Sequence, residues 1–179
     1  DVDEFTVSDD NDTDNQVSAN DILFSNISSV DGKVGSDTIT GSNTWNLLST
    51  GFESSKISFI SVETVNSLAG GTLNGKDSGN EFTIGNDNQV VQSNAVTFNN
   101  ITSVIGGAGE DEIISTVDKA WLLSGEKNEI SSNEITFTAV EKATATNGTI
   151  TGTGDVDEFT VSDDNDTDNQ VSANDILFS

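Results

Sequence analysis

Apolar and polar residues alternate in short runs along this chain, and Gly, Asn, Asp and Ser bound the runs. EFTVS (4–8), NQVSA (15–19) and ILFSNISSV (22–30) open the sequence in this manner. Alternation at a period of two, carried by β-branched and aromatic residues, predicts half-buried strands. Helix is disfavoured by the density of Asn, Gly, Thr and Ser and by the lack of a sustained 3.6-residue stripe.

The pattern recurs on two longer scales. Residues 155–179 are identical to residues 1–25, so the chain holds one unit of 154 residues and the opening of the next. Within the unit, four segments align on a phenylalanine: DILFSNISSVDG, KISFISVETVNSLAGG, AVTFNNITSVIGG and EITFTAVEKATATNG. The anchors Phe24, Phe59, Phe98, Phe137 and Phe178 stand 35, 39, 39 and 41 residues apart. Six residues after the first four come Val30, Val65, Val104 and Ala143. A second column runs Phe5, Ile39, Phe82, Ile113 and Phe159, each with Asp or Asn two residues earlier. Segments one and three share EFT and DNQV, whereas segments two and four share W-x-L (Trp45 to Leu47, Trp121 to Leu123). A two-segment ancestor has doubled, and the doubled unit was then copied.

Residue types held at one phase of every repeat are what stacked coils require. The expectation is an all-β, right-handed parallel β-solenoid with about four coils per unit, near 1–33, 34–71, 72–107 and 108–154. Residues 155–179 begin the next identical unit. Three strands per coil are expected, with glycines such as Gly32, Gly70, Gly106 and Gly148 at the corners. Phe24, Phe59, Phe98 and Phe137 should then form one buried ladder, with Phe178 over Phe137 and Phe159 over Ile113. A unit would advance by roughly four strand spacings, about 19 Å. The sequence stops in mid-pattern, as an excerpt of a longer array does.

Charge narrows the functional classes. Thirty-one acidic residues face six lysines, a formal net charge of −25. A polyanion of this kind repels nucleic acid. There is no Cys, His, Tyr or Arg, which removes disulfides, thiolate metal sites and the usual nucleophile–base pairs and oxyanion clamps. No apolar run approaches the length of a membrane span, so membrane insertion is not expected.

GGAGEDEI (Gly106 to Ile113), VGSDTI (Val34 to Ile39) and GTGDVDEF (Gly152 to Phe159) resemble haemolysin-type calcium-binding nonapeptides, the RTX repeats. Those nonapeptides run in immediate succession, whereas here at most one such string occurs per coil, so their calcium sites do not carry over as they stand. SNTWNLLSTGFESSKISFISVETVNSLAGG (residues 42–71) is similar to the repeats of very large bacterial surface exoproteins and filamentous-haemagglutinin-like adhesins. The resemblance implies a secreted bacterial β-solenoid, extracellular or on the cell surface, used for attachment or surface architecture.

One loop has metal-ligand spacing. Asp10, Asp12 and Asp14 form D-x-D-x-D, with Asp21 eleven residues after Asp10, and the second copy repeats them as Asp164, Asp166, Asp168 and Asp175. Hard Ca²⁺ wants such a cluster of oxygens; a solvated acidic turn is the competing reading. Asp3, Asp37 and Asp111, with Asn80, are either stacked ligands along one edge or caps for backbone donors at corners, and capping is the better account. Trp45 and Trp121 are either carbohydrate platforms or packed core. The expected function is a structural or adhesive rod, stalk or filament, not an enzyme. Its partners would be identical units in the same chain or head to tail, with surface glycans as the alternative. A solenoid polysaccharide-degrading enzyme ranks last.

Overall fold

The computed structural model describes residues 2–7, 15–155, 157–161 and 170–179. They form 21 strands and no helix, arranged as a β-solenoid of about five turns in which most pairing is parallel. The strands fall into five groups, one per phenylalanine segment. The first holds β1 (Glu4–Val7), β2 (Val17–Ala19), β3 (Ile22–Phe24), β4 (Ser29–Asp31) and β5 (Thr38–Thr40). The second holds β6 (Thr44–Leu47), β7 (Phe52–Ser54), β8 (Ile57–Ile60) and the long β9 (Thr64–Asn74). In the third are β10 (Glu81–Ile84), β11 (Val90–Ser93), β12 (Val96–Ile105) and β13 (Glu112–Ser115). The fourth is β14 (Ala120–Leu123), β15 (Glu129–Ser132), β16 (Ile135–Thr138), β17 (Lys142–Ala145) and β18 (Thr149–Thr151). The opening of the second copy supplies β19 (Thr160–Val161), β20 (Val171–Ala173) and β21 (Ile176–Phe178).

Each group begins with a three-strand antiparallel meander, and the first four continue with two stretches that pair in parallel. The pairings resolve into two rows. One reads β3–β2–β1–β5, then residues 64–66 of β9 and 96–99 of β12, then β11–β10–β13–β17–β21–β20–β19. The other reads β4–β8–β7–β6, residues 71–74 of β9, residues 103–105 of β12, then β16–β15–β14–β18. Successive meanders fall on alternate rows. Each is entered at its far strand and runs backwards, so the chain advances in the stretches that follow. β9 and β12 run through both rows, bending at Gly70 (φ 82°) and Asn100 (φ 61°) respectively.

The meander explains a column of polar residues four before each phenylalanine. Asn20–Asp21, Ser55–Lys56, Asn94–Ala95, Asn133–Glu134 and Asn174–Asp175 all have φ between 49° and 63°. Positive φ at both central residues is the type I′ turn, whose twist matches that of the strands it joins, and Asn tolerates it best among residues with a side chain. The residue two after each of the first four anchors is again left-handed, at Asn26, Ser61, Asn100 and Ala139. Three short segments separated by obligatory turns cannot be one continuous strand, so a meander forms.

Inward side chains of both rows share one core. Trp45, Phe52, Phe59, Phe82, Phe98 and Phe137 are almost wholly enclosed. Phe52 stacks on Phe59 at 5.3 Å and meets Trp45 edge-on at 5.7 Å. It also meets Phe98 of the other row edge-on at 5.5 Å, which places the two rows face to face across the core. Edge-on and offset rings are the geometries favoured by the aromatic quadrupole. On the half-buried faces, Asn99 donates to Asn66 and Asn74 to Asn46 across parallel neighbours.

The expected single phenylalanine ladder does not form. Each anchor pairs with the small residue six beyond the previous anchor: Phe59 with Val30, Phe98 with Val65, Phe137 with Val104 and Phe178 with Ala143. The second column joins the same ladders, giving Phe5–Ile39–Val65–Phe98 and Ile113–Ala143–Phe178. Phe178 therefore lies over Ala143 and not over Phe137, and Ala143, not Phe159, covers Ile113. Five strand pieces per segment replace the expected three. One unit spans ten strand spacings along a row, from β3 to its copy β21, which is about 48 Å at roughly 4.8 Å each.

Candidate functional site

Two surfaces position one coil on the next, a column of corner side chains and the open edges of the sheet. The corners bring together the sequence column of Asp and Asn. Asp37 Oδ1 accepts from the Asp3 backbone N–H at 2.8 Å, and Asp37 N–H donates to Glu63 Oε2 at 2.8 Å. The next set repeats it: Asp111 Oδ1 accepts from Asn80 N–H at 2.7 Å, and Asp111 N–H donates to Glu141 Oε2 at 2.9 Å. The Asp37 and Asp111 carbonyls each accept two further backbone N–H groups, from Glu63 and Thr64 and from Glu141 and Lys142. These side chains cap backbone donors of neighbouring corners, which is why the Asp or Asn keeps its phase in every segment.

A glycine five residues earlier makes room for each. A Cβ on Gly32 would lie 2.2 Å from the Ser61 carbonyl oxygen and 2.6 Å from Asp37 Oδ2. On Gly75 it would lie 1.9 Å from the Gly106 oxygen and 2.6 Å from Asn80 Nδ2; on Gly106, 2.0 Å from the Ala139 oxygen and 2.8 Å from Asp111 Oδ2. Asn80 Nδ2 bridges its gap by donating to the Gly106 carbonyl at 2.9 Å. Asp37 Oδ2 and Asp111 Oδ2 occupy the matching place, wholly buried and without a hydrogen-bond partner.

The sheet edges are legible because one sequence occurs in two settings. In β3, Ile22, Leu23 and Phe24 are 57%, 61% and 43% exposed. In β21 the identical Ile176 and Phe178 are 0% and 5% exposed. The difference is β17, which pairs alongside β21 with Lys142 opposite Leu177 and Ala143 opposite Phe178. Leu177 N–H also donates to the Glu141 carbonyl and Ser179 N–H to that of Ala143. At the other end, Phe159 and Val161 are 43% and 68% exposed, whereas their counterparts Phe5 and Val7 are covered by β5 and the chain beyond it.

The remaining sequence candidates take these places. Asp10, Asp12, Asp14, Asp164, Asp166 and Asp168 lie outside the described residues. Asp21 and Asp175 occupy the second position of the tight turns after β2 and β20, exposed. Asp175 pairs with Lys127 at 2.5 Å, and that hydrogen bond holds the Lys127 ammonium above its ordinary range. Trp45 and Trp121 are buried, so neither ring is presented to a sugar. Sequence reasoning missed the exposed strand β3; the signal was the two-residue Asn turn before it, which makes Ile22–Phe24 a separate strand. No family model matches this chain, and no curated protein or solved structure matches it either.

Proposed function

We propose that this chain is a structural repeat module of a secreted or cell-surface fibrous protein, in which successive units stack directly into a rod, stalk or filament. The observation that carries the reading is the burial of Ile176 and Phe178 against β17. The opening of the second copy continues the ladder of the first, with no linker among the described residues between β18 and β19 beyond a corner like those within the unit. The hydrogen bond of the Gly75–Asn80 corner recurs there: Thr153 N–H donates to Asp157 Oδ2 at 2.8 Å, as Lys76 N–H donates to Asn80 Oδ1 at 3.2 Å. Modules that contact only their neighbours gain stability from each added interface, and so suit long, stiff, extracellular spans.

Chains of two, three and four units test this by small-angle scattering. A rod should lengthen by about 48 Å per unit, ten strand spacings, at constant cross-section. Cross-sections that broaden, or lengths that grow as the square root of unit number, would mean independent beads on flexible joints.

A further inference from the structure

We propose that the two broad faces of the solenoid are lateral contact surfaces, each docking on a face of a second copy of this chain, so that rods associate side by side. This docking rests on the stacking reading above, because one unit offers too little surface alone. On one row, Thr38, Thr64 and Thr97 stand side by side and outward on β5, β9 and β12. The same column continues through Gln92, Thr83 and Ile114 to Thr144. The other row repeats it from Thr44 and Thr72 to Leu122 and Thr151, again over seven strands. Neither column holds a charged residue, in a chain with 31 acidic ones. Amide pairs flank them, Asn99 donating to Asn66 at 2.8 Å and Asn74 to Asn46 at 2.7 Å. Units that stack end to end leave these faces open.

A second copy is the occupant these columns fit. Hydroxyl and amide groups both donate and accept, so a neutral ladder pairs with its own copy, whereas a carboxylate-lined face repels it. Two rods of one sequence also share their strand spacing, so rung meets rung along the whole contact, as in the polar ladders that join paired sheets. Glu81, Glu112 and Glu129 stand two residues along their strands from the columns and oppose the approach. Facing sheets lie about 10 Å apart, which is also the Debye length at about 0.1 M salt, so those charges are screened only above that concentration. Seven rungs span about 29 Å, and a strip roughly 10 Å wide gives about 300 Å² per partner. A standard interface takes about 800 Å² per partner, so one unit should stay single and a chain of four should associate.

Sedimentation of the 179-residue chain and of a four-unit chain, at 20 and 500 mM NaCl, tests this. The shorter chain should remain single at both concentrations. The four-unit chain should be single at 20 mM and at least double its mass at 500 mM. Thr64→Glu with Thr72→Glu in every unit sets a charge into each column on β9 and should keep the four-unit chain single throughout. Thr97→Asp with Ser103→Asp does the same on β12 and is expected to act alike, and circular dichroism shows which variants keep the fold. Thr64→Asn with Thr72→Asn leaves both columns neutral and should preserve association. A four-unit chain that stays single at 500 mM, association that survives both acidic pairs, or association lost with the asparagine pair would overturn the docking. The length increments of tandem chains are read at 20 mM, where rods are single, so failure of stacking appears there and failure of docking only at high salt.

Discussion

At the scale of single residues, the corner column holds two buried carboxylate oxygens with no donor. Asp37 Oδ2 and Asp111 Oδ2 sit where Asn80 places an amide N–H that reaches the next corner's carbonyl. An unsatisfied buried acceptor costs about 1–3 kcal/mol, so supplying the donor should recover a comparable amount. Asp37→Asn keeps Oδ1 as acceptor for Asp3 N–H and turns an N–H₂ toward the Ser61 carbonyl. We expect Asp37→Asn and Asp111→Asn to raise the melting temperature, and Asn80→Asp to lower it. Thermal unfolding of the three variants checks this, and a fall in both Asp→Asn variants would refute the account. A second residue-scale prediction concerns Ala95, held at φ 63° in a type I′ turn. A left-handed conformation costs a residue with a Cβ roughly 1–2 kcal/mol relative to glycine. Ala95→Gly should therefore stabilise the chain by about 1 kcal/mol in urea titrations, because the strain outweighs the extra unfolded-state entropy of glycine.

At the scale of elements, the sequence showed the strands and the recurrence, and it misplaced the partners. Alternation located β1, β2 and β3, and the column of Asp and Asn located the corners. The error was to stack like on like. Repeats report which positions share an environment; they do not report the offset between neighbours. Here the offset pairs a phenylalanine with the Val or Ala six places beyond the previous anchor, setting a large side chain beside a small one. Glu63 and Glu141 recur at one phase, after Val62 and Val140, yet their role as acceptors for the corner N–H groups of Asp37 and Asp111 depends on that offset. The paired tight turns were also written in the sequence. Asn20, Asn94, Asn133 and Asn174 hold one phase, with Ser55 in the fifth place, and a two-residue Asn turn between apolar runs is a hairpin signal.

For the whole molecule, charge opposes stacking. A net charge of −25 on 179 residues is spread over a narrow solenoid, and the described lysines Lys33, Lys127 and Lys142 each form an ion pair with a single acidic partner. Self-repulsion of this kind is screened over a Debye length of about 10 Å at 0.1 M salt. Raising NaCl from 20 to 200 mM should lift the melting temperature by several degrees, as scanning calorimetry would report. Calcium at matched ionic strength separates screening from a specific site at Asp10, Asp12, Asp14 and Asp21. Coincident curves leave screening as the whole effect; a further rise in calcium alone locates a site, and Asp12→Ala should remove it.

The alternation of meanders between rows sets a parity rule for how such a gene can grow. One segment crosses the core three times, so the next begins on the opposite side, and only an even number of segments returns the chain to its starting side. This accounts for the likeness of segment one to three and of two to four: Trp45 and Trp121 belong to one side, Phe5 and Phe82 to the other. Recombination that gains or loses a single segment would set a tryptophan-bearing meander against the partners built for a phenylalanine-bearing one. Unequal crossing-over is then tolerated in steps of two segments, and the whole unit of four satisfies that rule.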